Sequence, residues 1–452
     1  MHTRRSFLSS SLLAPMAAAQ PRRPNVIVLF TDDHGAHDLG CYGASDLKTP
    51  NIDALAASGA RYTNWYSNAP VCAPSRSALF TGRYPIRAGV PTNGPALPRA
   101  QRSLASLLKP LGYQTALTGK WHLGSDEETN PNGHDFSYFY GFHSGCVDFY
   151  SHRFYWGEGG RARLANYHDL YRNKEEIFED GEYLTNRIAQ EACGFIRRNA
   201  HQPFLLCATF NAPHYPMHAP KEYMDRFPGL PLERRTYAAM LAAVDDGVGD
   251  IRRTLMQHGL LENTLIFFAA DNGATTEVRA GLGQKPATAG DNSPYRGFKF
   301  SLFDGGMHVP AIMSWPGRIP AGQTISEIAM TMDIAPTALA AAGGTPPSPD
   351  WFDGSNILPV ATAKAASPHS AIFWEQAQQS AVRKGKWKLV VNGTTYDRSA
   401  QGNQPLTGED AVFLSDLEQD PGESTNLRRR HPQVADELIT LLEKWRKDVR
   451  AN

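Results

Sequence analysis

The chain has 452 residues and a formal net charge of zero, from 45 basic and 45 acidic side chains. It has no long basic run and no basic stripe interleaved with aromatics, so nothing in its charge indicates a nucleic-acid partner. Its five cysteines, at 41, 72, 146, 193 and 207, are odd in number and include no CxxC pair, which argues against both a disulfide framework and a zinc ribbon.

The first residues, "MHTRRSFLSSSLLAPMAAAQ", place Arg4 and Arg5 before a short apolar run and a small-residue cleavage site. This predicts a twin-arginine signal over residues 1–19 and a bacterial protein exported to the periplasm or beyond. The run is broken by Ser and Pro15 and falls short of the roughly 20 apolar residues a membrane span needs. No later segment is long and apolar enough either, so the mature chain is expected to be soluble. Twin-arginine export moves folded proteins, so cofactors and modifications can be installed in the cytoplasm.

Four apolar, β-rich runs follow, each ending in polar groups. "NVIVLF" (25–30) leads into "TDDHG", "YQTALT" (113–118) into "GKWHLG", "FLLCATF" (204–210) into "NAPHYP", and "LIFFAA" (265–270) into "DNGA". Such runs suit strands buried on both faces. Between them lie helical patterns: "TPNIDALAASG", with Thr49 as cap, Pro50 at the first helical position and Gly59 at the stop, and "TYAAMLAAVDDGVGDIRRTLMQHG", apolar at helical spacing. Strands alternating with helices imply an α/β domain over residues 20–360 with a large, mostly parallel central sheet. Ligands bind such sheets outside the carboxyl ends of the strands. The polar residues at those ends, Asp32, Asp33, Lys120, His122, His214, Asp271 and Asn272, are therefore expected to converge on one edge.

After the Gly/Pro-rich loop "AAAGGTPPSPDWFDGSN" (341–356), short runs and a charged helix from about 431 to 449 predict a C-terminal subdomain over 361–452. It should hold a small antiparallel sheet with one helix.

Asp32, Asp33, Asp271 and Asn272 offer only oxygen ligands, which suits a hard divalent cation, Ca²⁺ before Mg²⁺. Any one of them alone would more often cap a helix or turn the chain. A cation would keep the adjacent Asp32 and Asp33 both ionised in a crevice. Lys120, Lys299 and Arg76 are cations that an anionic substrate would reconcile, although a lone lysine is ordinarily a solvated surface group. His122 and His214 could act as general base and acid, or as hydrogen-bonded structural groups. In "VCAPSRSALFTGRYP" Pro74 is placed to open a helix and set Cys72 at its N-terminus. A thiolate nucleophile matches a hard cation poorly, and a buried inert cysteine is the alternative.

"CAPSRSALFTGRYP" resembles the modification motif of the type I sulfatases, in which Cys-x-Pro-x-Arg directs oxidation of cysteine to formylglycine. "VIVLFTDDHG", "TGKWHLG", "NAPHYP", "AADNGA" and "YRGFKFSLFDGG" resemble that family's other blocks in the same order. The resemblance implies an alkaline phosphatase-like sandwich and Ca²⁺ held by Asp32, Asp33, Asp271, Asn272 and the modified Cys72. It also implies a formylglycine-generating enzyme as a partner. By the same resemblance, one hydroxyl of the hydrated aldehyde attacks sulfur, His214 with Lys299 protonates the departing oxygen, and His122 takes the proton from the second hydroxyl as sulfate leaves. Lys120 and Lys299 would clamp sulfate oxygens and Arg76 would hold the hydrate. Where many relatives carry an arginine after the glycine pair, this chain reads "DGGMHVP" with His308, a block expected to shape the pocket rim.

The expected activity is hydrolysis of sulfate esters, by an exo-acting carbohydrate sulfatase, the substrate being a sulfated carbohydrate or an aryl sulfate. The rivals are a phosphonate or phosphate monoester hydrolase on the same scaffold, and a sulfated-glycan-binding protein whose Cys72 stays unmodified. "HDFSYFYGFHSGCVDFYSHRFYW" (134–156) holds ten aromatic residues in 23, and within it His143, Asp148, His152 and Arg153 are candidates to contact the leaving sugar.

Overall fold

The four apolar runs become four neighbouring parallel strands, in the order Thr264–Ala270, Asn25–Thr31, Phe204–Thr209 and Gln114–Lys120. Apart from Gln114, every residue in them is buried. The register is level: Phe30 pairs with Thr209 on one side and Ala269 on the other, and Thr209 in turn faces Gly119. The segments that follow these strands therefore leave the sheet side by side. This computed structural model describes residues 22–155, 167–283, 285–397, 399 and 402–451, so the expected signal at 1–19 and Trp156 lie outside the described residues.

Six further strands complete a ten-stranded sheet. Tyr138–Phe142 adds parallel to Gln114–Lys120, whereas Ala311–Ser314 runs antiparallel to Thr264–Ala270. The sheet is thus parallel through its centre and mixed towards its edges. Alternation along Asn25–Thr31 sends Ile27 and Leu29 to one face and Val26, Val28 and Phe30 to the other. The first face packs helices Pro50–Ala57, Leu184–Arg198 and Leu232–Gln257; the second packs Cys72–Thr81, Leu104–Leu108 and Ile334–Ala341. In the long helix Tyr237, Met240, Leu241, Val244, Val248, Ile251 and Leu255 are all buried, the face set by their helical spacing. Thr49 does not cap its own helix's amides with its side chain; its hydroxyl instead accepts from the Gly40 amide and donates to Asp53.

The C-terminal region is an antiparallel meander of Ile372–Gln376, Gln379–Lys384, Trp387–Val391 and Val412–Asp416, followed by helix Pro432–Ala451. The run "SAVRKGKWKLVV" is split into two strands because Gly385, at φ 58°, reverses the chain. A third core packs this sheet and the last helix on the larger α/β part, with Trp374, Leu389, Leu438 and Leu442 against Tyr66 and Met330 of a separate two-stranded sheet and against Phe303. Through the same seam runs a buried polar network in which Lys388 binds Asp304 and Glu423 while Arg383 donates to the Tyr66 hydroxyl.

Candidate active site

Helix Cys72–Thr81 is buried along its whole length, and Cys72 is its first residue. Pro74 sits in the first turn, where its missing amide costs nothing. This end of the helix meets the carboxyl ends of the central strands, and Cys72 Sγ lies 3.4 Å from Asp32 Oδ1. One ligand atom from each of Asp32, Asp33, Cys72 and His214 lies within 4.8 Å of the others. His214, expected as an acid, thus stands among the metal-ligand candidates, while Asp271 and Asn272 pack against them.

Arg76, one turn along the same helix, is fully buried and knits the strand ends together. Its Nε and one terminal nitrogen donate to Asp271 Oδ2 at 3.2 and 2.9 Å, and the other terminal nitrogen donates to the Lys120 carbonyl at 3.1 Å. The same guanidinium lies 3.3 Å from Asp32 Oδ2, which also receives Lys120 Nζ. Lys299 Nζ donates to Asp33 Oδ2 at 2.9 Å and to His214 Nε2 at 3.2 Å. Since His214 Nδ1 meets the Tyr215 carbonyl at 2.8 Å, its proton belongs there and Nε2 faces the centre as an acceptor.

The electrostatics follow from burial. Three carboxylates and three fixed cations, all buried, share the site. Burial would raise Asp32, but Lys120, His214, Arg76 and Lys299 hold it well below the usual carboxylate range. Asp33 is raised to about 6 by burial, against the pull of Lys299 and with the push of Asp32. Asp271 is raised to about 7 by burial and by the charge of Asp32. Burial, with Lys120 beside His122 and Lys299 beside His214, pushes both histidines well below the usual imidazole value, so each is neutral and able to accept a proton. Burial and the neighbouring Asp32 drive the Cys72 thiol well above its ordinary value, so the unmodified side chain is a thiol and a poor nucleophile.

The donor set fits a hard cation. Asp33 and Asp271 are pushed upward despite their ion pairs with Lys299 and Arg76, a preference a cation would reverse, and among the described residues the buried Asn272 leaves its Oδ1 with no hydrogen-bond partner while its amide nitrogen donates to Asp33 Oδ1 at 2.7 Å.

His122 sits at φ 58° with Nδ1 unpartnered, and Gly145 gives its ring room, since a Cβ there would lie 2.7 Å from Nε2. The ring opens on a cavity of ≈ 340 Å³ also lined by His143, Asp169, Tyr167 and Tyr171. On the Lys299 side lies a second cavity, of ≈ 490 Å³, lined by Tyr155, His218, Glu277, Arg279 and Leu282.

The sugar candidates separate. His143 lines the first cavity, its ring 4.6 Å from that of Tyr171 and its backbone amide bound to Asp169. Asp148 ties a turn by accepting from the amides of Tyr150 and Ser151, and supports His218 at 3.2 Å. His152 is fully buried with Nε2 on the Glu182 carbonyl and lines neither cavity. Arg153 is exposed, and its backbone pairs with His168 and Asp148. His308 does not form a rim: it is buried, its ring 4.0 Å from that of Tyr295 and 5.0 Å from that of Tyr66, with Nε2 on the Thr63 carbonyl, and its charged neighbours Asp304, Arg383 and Lys388 belong to the buried polar network beside the C-terminal sheet.

Three residues of this region escaped the sequence reading. Glu277 and Arg279 follow the Asp271–Asn272 strand end in a loop without periodicity, and their only signal is an acid and a base two positions apart. Asn211, beyond the end of Phe204–Thr209, is buried with neither amide atom partnered.

The family profile described as "Sulfatase" matches residues 24–344, and one described as "N-sulphoglucosamine sulphohydrolase, C-terminal" matches 298–448. N-acetylgalactosamine-6-sulfatase of Homo sapiens is 37% identical over 368 residues, covering 76% of this chain and 67% of the relative. Arylsulfatase A of Bos taurus is 33% identical over 472 residues, covering 96% and 88%. The crystal structure of Ps i-CgsB in complex with k-i-k-neocarrahexaose superposes with a TM-score of 0.81 at 30% identity, covering 94% of this chain and 93% of that one. With the same blocks gathered at one sheet edge, the chain belongs to the type I sulfatase family of the alkaline phosphatase-like superfamily and is a sulfuric ester hydrolase.

Proposed function

We propose that this chain is an exo-acting carbohydrate sulfatase, exported by the twin-arginine route to the periplasm or beyond, with residue 72 converted to formylglycine by a generating enzyme before export. The observation that carries the reading is the placement of Cys72: a buried, protonated thiol at a helix N-terminus, against Asp32 and ringed by Lys120, Lys299 and Arg76. That environment suits an oxygen nucleophile and a tetrahedral oxyanion better than a thiolate.

Formylglycine at position 72 would supply a geminal diol, one hydroxyl to attack sulfur and one to release sulfate. Asp32, Asp33, Asp271 and Asn272 would hold Ca²⁺, which supplies Lewis-acid polarisation when bound. Lys120 and Lys299 are fixed charges for the sulfate oxygens, and the buried Arg76 keeps Asp32 and Asp271 in position. His122, neutral and with an unpartnered nitrogen, is suited to take a proton from residue 72. His214 Nε2 accepts from Lys299 Nζ and carries no proton in this state, so the proton for the departing sugar would come from the Lys299 ammonium, which His214 helps to orient.

The sugar reading draws on the human relative, named for N-acetylgalactosamine 6-sulfate, and on the neocarrahexaose complex of Ps i-CgsB. Both flanking cavities, of ≈ 490 and ≈ 340 Å³, have the size of small-ligand pockets, and action at a chain end is proposed on that size alone. Aryl sulfates are expected as surrogate substrates. The test is release of inorganic sulfate from defined sulfated oligosaccharides, run beside 4-nitrophenyl sulfate, 4-nitrophenyl phosphate and a phosphonate monoester. Sulfate release from terminal sugars is expected to dominate. Faster phosphonate or phosphate turnover, or glycan retention without sulfate release, would overturn the proposal.

A further inference from the structure

We infer that Glu277 is a positioning residue that directs the Lys299 ammonium towards the leaving oxygen, and so sets how strongly the enzyme assists poor leaving groups; the inference rests on the catalytic role proposed for Lys299.

Lys299 Nζ has three protons and, among the described residues, three acceptors: Asp33 Oδ2 at 2.9 Å, His214 Nε2 at 3.2 Å and Glu277 Oε2 at 3.2 Å. Two of these are committed elsewhere, because Asp33 belongs to the metal-ligand group and His214 faces the substrate. Glu277 is the acceptor outside that group, so it is the one that fixes the ammonium without competing for the reaction. Its own carboxylate is fixed from the far side by Arg279, whose Nε and terminal nitrogen donate to Oε1 at 2.9 and 2.6 Å.

The arrangement closes on itself. The Arg279 guanidinium lies 4.9 Å and Lys299 Nζ 5.5 Å from the centre of the Tyr215 ring, whose residue supplies the carbonyl that fixes the His214 tautomer. Arg279, Glu277, Lys299, His214 and Tyr215 thus form one connected frame on the side of the centre where the ≈ 490 Å³ cavity opens. Without the Glu277 charge, the two cations beside the Tyr215 ring lose the counterion they share, and Lys299 is drawn onto Asp33. A displacement of that kind is felt at the bond being broken, where misplacement of about 1 Å lowers rates by about 100-fold.

The test is a series of aryl sulfates from 4-nitrophenyl through phenyl to 4-methoxyphenyl, turned over by wild type, Glu277→Gln, Lys299→Met and the double variant. Gln keeps the shape and one acceptor oxygen, so folding is preserved while the charge is lost. In Glu277→Gln, kcat is expected to fall about tenfold more for 4-methoxyphenyl than for 4-nitrophenyl sulfate, steepening the dependence on leaving-group basicity. The double variant should be no worse than Lys299→Met alone, because Glu277 acts through Lys299. Equal loss across the series, or no loss, in Glu277→Gln while Lys299→Met steepens the slope would overturn the inference alone. A Lys299→Met variant without a steeper slope would overturn the Lys299 role and the inference together.

Discussion

Lowering the pH should weaken calcium binding in a way the carboxylate environments define. In the metal-free centre Asp33 is raised to about 6 and Asp271 to about 7, both by burial first, whereas Asp32 stays ionised throughout. Each raised carboxylate contributes folding stability that is full below its ordinary range near pH 4 and is withdrawn as pH rises through 6 to 7; a bound cation reverses that preference. Calcium must therefore displace about two protons at pH 5 and almost none at pH 8. Between pH 7.5 and 5.5 these values weaken the apparent affinity by about 100-fold, or about 3 kcal/mol. The assay is isothermal titration of decalcified Cys72→Ala protein with Ca²⁺ in buffers of different ionisation enthalpy, so that residue 72 contributes no proton. Asp271→Asn should bind more weakly and with a shallower pH slope. An affinity independent of pH over this range, or no proton release at pH 5.5, would refute the reasoning.

Other consequences are more local. Arg76→Lys should lower stability by about 3 kcal/mol, read by chemical denaturation, since an ammonium cannot span Asp271 and the Lys120 carbonyl and leaves buried acceptors unmet. His152→Ala should lower Tm and leave KM for the glycan unchanged, whereas His143→Ala should raise KM by about tenfold while leaving Tm within a few degrees. His122→Ala should cut turnover by at least about 100-fold and trap sulfate on residue 72, detectable by mass spectrometry of the quenched enzyme.

The site was legible in sequence to the extent that it is built from strand ends. Four apolar runs followed by polar residues sufficed to bring Asp32, Lys120, His214 and Asp271 together, because parallel strands in level register must deliver their next residues to one edge. Cys72 was placed by helix-start chemistry at Pro74. Loops carry no such periodicity. His152 and His143 look alike in an aromatic run, and only the tertiary fold turns one ring inward to a carbonyl and the other to a cavity. The setting of His308 was not legible because the second sheet, whose Arg383 and Lys388 are its charged neighbours, is contributed by residues more than 60 positions away in sequence. Glu277 was invisible because its meaning lies in Lys299 and Arg279 together, a contact that spacing does not encode.

The central claim is that residue 72 works as an oxygen nucleophile made from cysteine. Its most direct test is mass spectrometry of the peptide containing residue 72 across preparations expressed with graded amounts of formylglycine-generating enzyme, each assayed for sulfate release. Specific activity should rise in proportion to the aldehyde fraction and extrapolate to zero for the pure thiol. Full sulfatase activity from protein whose Cys72 is entirely thiol would contradict the account.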